Sequence, residues 1–79
     1  MTTQKKAAQQ KIHPLVERFA RRMRERRAKK KLSQQALAEL MGCSISYVSM
    51  LERGQRTPPL STVGDVAKAL SCEPVVLVA

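Results

Sequence analysis

The chain has 79 residues, enough for one small domain, and 15 Lys and Arg against 6 Asp and Glu give it a formal net charge of +9. Such a basic balance favours polyanionic partners, although charge alone does not separate nucleic acid from a membrane surface. Phe and Tyr occur once each and Trp is absent, which disfavours a stacking platform for single strands, because such platforms need several aromatic rings.

The first stretch, residues 1–13, predicts a flexible basic tail. It is rich in Gln, Lys, Thr and Ala and lacks apolar periodicity before its end, a pattern typical of disordered termini. Its lysines offer the alternative of a basic arm that follows a nucleic-acid backbone. His13 precedes Pro14, so it should be extended, and Pro14 suits the first position of a helix. The folded domain is therefore predicted over residues 14–79.

A first helix is predicted from Pro14 to about Lys30. Apolar side chains at helical spacing form its inner face, namely Leu15, Val16, Phe19, Ala20 and Met23. The outer face carries cations that are expected to be solvated, namely Arg18, Arg21, Arg22, Arg24, Arg26, Lys29 and Lys30. Charges of one sign along one helix repel each other and reduce its stability.

Two short helices follow, joined by a tight turn. The first covers residues 34–41 after a Ser33 cap and ends at Gly42, where a residue with positive φ is needed. The second covers residues 45–53 and begins at a Ser44 cap. Two short helices connected by a glycine-containing turn are typical of a helix-turn-helix.

The C-terminal part predicts two more helical segments. Pro58 and Pro59 stop the preceding helix and start a fourth one, from about Leu60 to Leu70. A last turn opens at Pro74 and contains the apolar run 75–78. Four consecutive apolar residues cannot all face one core from one short helix, so we expect part of the run to meet a second subunit. The alternative is a frayed hydrophobic end.

The pattern as a whole resembles the lambda-repressor-like helix-turn-helix family, of Cro and phage-repressor type. The resemblance runs from about Phe19 to Leu77, and its carriers are Leu32-Ser33-Gln34, Leu37-Ala38, Gly42, Val48, Leu51-Glu52-Arg53-Gly54, Arg56-Thr57-Pro58 and Ala67-Lys68-Ala69-Leu70. It implies an all-α, compact five-helix DNA-binding domain. It also implies that Arg27 pairs with Glu52 and so ties the first helix to the third. The alternative is two independent surface charges.

The resemblance further implies a sequence-specific regulator of double-stranded DNA, of repressor or controller type, that binds a palindromic operator as a homodimer. Its third helix is expected to enter the major groove. The residues expected to face base edges are Ile45, Ser46, Ser49 and Met50. The residues expected to contact the DNA backbone are Arg27, Gln34, Ser44, Tyr47, Arg53, Gln55 and Arg56.

Three alternatives stay open on the sequence. None of the four base-facing residues is the Gln or Arg that reads bases by paired hydrogen bonds, so a basic nucleoid-type protein that coats DNA with little sequence preference is the main one. A basic helix on a membrane or protein surface leaves residues 32–70 unexplained. A helical hairpin that serves packing alone leaves the charge unexplained.

No catalytic, metal or cofactor site is predicted. The cysteines, Cys43 and Cys72, form no CxxC, and His13 is the one histidine, so we expect no zinc. Both thiols are expected to be small buried hydrophobes, with a redox switch as the alternative. The sequence predicts no signal peptide and no membrane-spanning run, and we expect no second domain for a small-molecule ligand. The protein is expected in the cytoplasm, associated with the nucleoid.

Overall fold

Five helices make up the fold over residues 12–79, the part of the chain that this computed structural model describes. They are α1 Pro14–Lys29, α2 Gln34–Met41, α3 Ile45–Glu52, α4 Leu60–Ala69 and α5 Pro74–Val78. The predicted all-α five-helix fold is confirmed. The predicted C-terminal ends of α1, α3 and α4 each lie one residue beyond the observed ends. The predicted N-terminal tail lies almost wholly outside the described residues, so its prediction stands untested.

Side-chain caps start the first three helices, and two of them, Ser33 and Ser44, were predicted from the sequence. The Ser33 and Ser44 hydroxyls accept the N–H groups of Ala36 and Tyr47 at 2.9 and 3.1 Å. His13 acts likewise at α1, where its Nδ1 accepts the Leu15 N–H at 3.0 Å. Each acceptor satisfies a backbone donor that the first helical turn leaves without a partner.

Helices α1 to α4 end in turns that contain a left-handed residue. Gly42 after α2 and Gly54 after α3 have φ of 70° and 72°, a conformation that glycine adopts without strain. Lys31 after α1 and Ser71 after α4 adopt φ of 58° and 56°, which costs a residue with a side chain free energy. Because its left-handed residue is Gly42, the tight turn between α2 and α3 forms without backbone strain.

The core lies where α1, α2, α3 and α4 meet. It is formed by Phe19, Met23, Leu37, Ala38, Val48, Leu51, Val63, Val66, Ala67, Leu70 and Leu77. Helix α1 packs against α3 and α5, α2 against α3 and α4, and α4 against α5. All of these side chains except Phe19 are non-aromatic, and burying each large one contributes about 1.5–3 kcal/mol.

The two cysteines and the C-terminal run differ in part from their predictions. Cys43 and Cys72 are free thiols that are partly buried against the core rather than fully inside it. In the C-terminal run Leu77 is fully buried, whereas the Val75 side chain is 59% exposed. The run therefore leaves one mostly exposed residue for a partner.

Candidate nucleic-acid interface

Helix α3 has one buried side and one outward side. Successive residues turn by about 100°, which places the four residues predicted to face base edges on one arc of about 140°, namely Ile45, Ser46, Ser49 and Met50. Ile45 is 47% exposed, and none of the four belongs to the core. Val48, Leu51 and Glu52 fill the other arc and are buried. The outward arc therefore has two exposed residues, Ile45 and Ser46, and two half-buried ones, Ser49 and Met50.

A buried ion pair fixes the C-terminal end of α3 to α1. The Glu52 carboxylate is 2% exposed, and Arg27 donates to both of its oxygens, from Nε to Oε2 at 2.6 Å and from Nη2 to Oε1 at 3.0 Å. The hydrogen bond to Glu52 raises the pKa of Arg27 further above its usual value. The expected pair is thus confirmed, and its fork-to-fork geometry fixes orientation as well as distance.

Three more groups complete this cluster, which we call the Glu52 hub. Gln34 Nε2 donates to Oε1 of Glu52 at 3.0 Å, and Arg27 Nη1 donates to the Leu32 carbonyl at 2.9 Å. Arg24 donates to the main-chain carbonyl of Glu52. The hub therefore joins α1, the α1–α2 turn and α2 to the end of α3, which holds the outward arc in one orientation.

Two residues of the hub were also predicted to contact the DNA backbone. All three guanidinium nitrogens of Arg27 donate within the protein, and its side chain is 21% exposed. The Gln34 amide likewise donates to Glu52. Each retains N–H groups beyond those bonded within the hub, so a phosphate contact by either one stays a prediction, in addition to its observed role in the hub.

The prediction that the outer cations of α1 are simply solvated is wrong at several positions. Arg22 Nη1 donates to the Val76 carbonyl at 2.7 Å, and Arg18 Nη1 donates to the Val78 carbonyl at 3.2 Å. Arg24 reaches the end of α3. Cations at the C-terminal ends of helices meet the negative end of the helix dipole and carbonyls without helical partners. Self-repulsion along α1 is therefore offset by internal acceptors.

The remaining predicted backbone contacts surround the outward arc. Arg53, Gln55 and Arg56 are exposed where α3 ends and the following loop begins. Ser44 is exposed at the other end of α3, where it caps the helix. Tyr47 is half-buried on α3, and the Arg56 guanidinium carbon lies 5.9 Å from its ring centroid. Arg56 and Tyr47 are thus brought together by the fold.

The Cys43 thiol, in the turn between α2 and α3, is not activated. Burial and, to a smaller extent, the negative charge of Asp65 raise the pKa of Cys43 above its usual value. Because the thiolate is the reactive form, a raised pKa makes this thiol less reactive at neutral pH. This disfavours the redox alternative for Cys43.

Sequence reasoning missed the groups that bind carbonyls. Arg18 and Arg22 lie one position before the inward residues Phe19 and Met23, so each borders the inner face of α1. That spacing predicts partial burial of both arginines. Their acceptors could not be predicted, because these are main-chain carbonyls, which every residue has. For Gln34, nothing in the sequence distinguishes a hydrogen bond to Glu52 from a contact with a phosphate.

Comparison with known proteins gives concordant matches. A family model described as helix-turn-helix matches residues 23–77. An uncharacterized HTH-type transcriptional regulator, y4dL of Sinorhizobium fredii, is 37% identical over 58 residues, which are 73% of this chain and 30% of that protein. The chain thus spans less than a third of this relative.

Solved structures agree with the match. The restriction-modification controller protein C.AhdI from Aeromonas hydrophila aligns with a TM-score of 0.75 and 45% identity, over 78% of this chain and 94% of that one. A hypothetical transcription factor, NHTF, from Neisseria aligns with a TM-score of 0.81 and 30% identity, over 87% and 83%. Because the family model covers most of the chain, including the whole of α2, α3 and α4, the chain belongs to the lambda-repressor-like helix-turn-helix family of DNA-binding transcription regulators.

Proposed function

We propose that this protein is a sequence-specific regulator, of repressor or controller type, that binds a palindromic operator in double-stranded DNA as a homodimer. The observation that carries the proposal is the outward arc of α3, which includes the exposed Ile45 and Ser46 and which the Glu52 hub holds in one orientation. A helix presented in this way fits the major groove, whose width admits one α-helix. The protein is proposed to act in the cytoplasm on the nucleoid.

Base reading is assigned to the four residues of the outward arc. Ser46 and Ser49 carry hydroxyls that donate or accept hydrogen bonds, whereas Ile45 and Met50 suit contact with thymine methyl groups. None of them offers the paired hydrogen bonds of Arg or Gln. We therefore infer that shape and deformability of the operator contribute to specificity at positions that the protein does not touch.

Phosphate binding is assigned to the groups around the arc. Arg53, Gln55 and Arg56 lie exposed at the C-terminal end of α3, and Gln34 and Ser44 lie at the N-terminal ends of α2 and α3, where backbone N–H groups favour anions. Tyr47 and Arg27 complete the predicted set. The net charge of +9 supports this assignment, because each phosphate that is neutralised releases counterions.

A surface for the second subunit is proposed beside the C-terminal run. An apolar groove runs between the start of α1, the start of α4 and the end of α5. It is lined mainly by Leu15, Val16, Phe19, Pro58, Leu60 and Val78. Leu60 lines the groove and is also 89% exposed. Leu60 of each subunit would thus lie near the other's groove, as a two-fold interface requires.

Charge supports a second copy as the occupant of this groove. Two copies with a charge of +9 each repel one another, so their contact should be free of cations. The residues that line the groove carry no charge. A dimer also provides two copies of α3, which must lie about 34 Å apart to read two half-sites one DNA turn apart.

Selection of bound sequences from a random duplex pool tests the main proposal. An inverted repeat among the recovered sequences, followed by a discrete footprint, is the expected result. The competing function is DNA coating, which the absence of Arg and Gln from the outward arc favours. Coating predicts no enriched sequence and no discrete protected site, and that result would overturn the proposal of sequence-specific regulation.

Substitution of Leu60 tests the dimer. Leu60→Asp should give a folded monomer that no longer binds the operator tightly, since binding to the second half-site is no longer intramolecular. Leu40→Asp is the matched control, because Leu40 is 61% exposed on α2 and does not line the groove. Sedimentation and circular dichroism measure mass and folding. A Leu60→Asp protein that stays dimeric would exclude the groove as the interface.

A further inference from the structure

Arg56 differs from the arginines that the fold uses internally. Four arginines donate hydrogen bonds to acceptors of the protein itself, namely Arg18, Arg22, Arg24 and Arg27. Within residues 12–79 the structure shows no hydrogen bond or ion pair from the Arg56 guanidinium. Its described partner is an aromatic ring, with the guanidinium carbon 5.9 Å from the ring centroid of Tyr47.

A ring restrains a guanidinium in a way that a carboxylate does not. A cation within about 6 Å of an aromatic centroid is attracted by the negative face of the ring. This attraction uses none of the guanidinium N–H groups, whose planar fork matches the oxygens of a phosphate. Arg56 is therefore held in place by Tyr47 while its donors stay available, whereas the donors of Arg27 are partly taken up by Glu52.

The Tyr47 ring is itself fixed by the fold. It is half-buried and packs against the core, and the Tyr47 N–H is bonded to the Ser44 hydroxyl that caps α3. On the helix it lies between the outward arc and the buried arc, about 60° beyond Met50. The ring thus links a rigid helix to an exposed loop that has no regular structure of its own.

We propose that Tyr47 is a positioning residue whose ring holds Arg56 in place for a DNA phosphate. Tyr47 then contributes to binding through its ring, and its hydroxyl is not required. This inference rests on the proposed DNA-binding function and changes the role of Tyr47 from phosphate contact to support for one. Its ligand is a phosphate of the duplex backbone, so the effect is the same for every DNA sequence.

A double-mutant cycle with the full chain and a mixed-sequence DNA duplex tests the proposal. Affinity is measured by fluorescence anisotropy over a salt series for Tyr47→Phe, Tyr47→Leu, Arg56→Ala and the Tyr47→Leu/Arg56→Ala double variant. Arg56→Ala should reduce the log–log salt slope by about 0.9 for each phosphate that Arg56 neutralises in the wild-type complex. Tyr47→Leu should weaken binding about two- to fivefold per subunit, which is the usual size of an exposed cation–π interaction.

The cycle separates the positioning role from other roles of Tyr47. Tyr47→Phe should bind like the wild-type protein because it keeps the ring. Tyr47→Leu should have no further effect once Arg56 is Ala. A weakening in Tyr47→Phe as large as in Tyr47→Leu would overturn the proposal, since it would point to a hydrogen bond from the hydroxyl to a phosphate.

Two further comparisons keep the test decisive. Circular dichroism during thermal unfolding shows whether Tyr47→Leu remains folded, and Arg56→Lys, which keeps the charge but not the planar fork, should bind more weakly without a large change in slope. Additive effects in the cycle would refute positioning while leaving DNA binding intact. A wild-type protein that binds no duplex would instead refute the proposed function.

Discussion

Helix α1 holds α3 on one side and α5 on the other by two different means. Toward α3, Arg27 donates hydrogen bonds to the Glu52 carboxylate, which is 2% exposed. Toward α5, Arg22 donates to the Val76 main-chain carbonyl from a half-buried position. A buried carboxylate without its partner is an uncompensated charge, whereas a carbonyl at a helix end can bond to water instead. The α3 side should therefore be rigid and the α5 side able to open.

The rigidity of the α3 side fits the proposed task of α3. An element that reads base edges must keep its orientation, because hydrogen bonds weaken steeply with misalignment. Helix α5 has five residues, too few for stability on its own, so it depends on Leu77 in the core and on the arginines of α1. Local opening in small proteins begins at such elements.

Removal of Arg27 should give the largest effect. Arg27→Ala leaves the Glu52 carboxylate buried with Gln34 as its one remaining side-chain donor in the hub. Removal of one partner of a buried pair costs about 3–5 kcal/mol, a large part of the free energy of unfolding of a small domain. Urea unfolding followed by circular dichroism measures this change.

An exposed pair on the same helix provides the control. Arg21 lies 4.0 Å from Glu25, and both side chains are mostly exposed. Arg21→Ala should change the free energy of unfolding by less than about 0.5 kcal/mol. A cost for Arg27→Ala no larger than that for Arg21→Ala would show that the Glu52 hub does not hold α3.

Removal of Arg22 should act locally. The bond to the Val76 carbonyl has a charged donor and is partly exposed, so Arg22→Ala should cost about 1–1.5 kcal/mol. The expected sign is faster hydrogen exchange in α5 and at its C-cap, where the Ala79 N–H is bonded to the Val75 carbonyl, with exchange in α3 unchanged. Equal acceleration in α3 and α5 would mean that the two sides of α1 open together.

The sequence predicted the helices better than the contacts between them. Ser33, Ser44 and Gly42 marked helix ends because capping depends on residue type and local conformation. The pair of Arg27 with Glu52 came from family resemblance. The bond from Arg22 to a carbonyl was not predicted, since every residue has a carbonyl. The groove beside Leu60 was missed because it forms only when α1, α4 and α5 come together.

The smallest predicted effect concerns the two left-handed residues that have side chains. Lys31 precedes the Glu52 hub and Ser71 leads to α5, with φ of 58° and 56°. Lys31→Gly and Ser71→Gly remove a cost of about 1–2 kcal/mol, of which the greater freedom of glycine in the unfolded chain cancels about half. Each should raise the free energy of unfolding by about 0.5–1 kcal/mol.

Gly42→Ala is the matched reverse change, since nothing lies within 4 Å of the added Cβ, and it should lower this free energy by a similar amount. Hydrogen exchange in α5 distinguishes the two turns. If Ser71→Gly slows this exchange while Lys31→Gly does not, strain in the turn before α5 contributes to the opening of α5. Equal effects of the two substitutions would mean that the packing of α5 against α1 controls the opening.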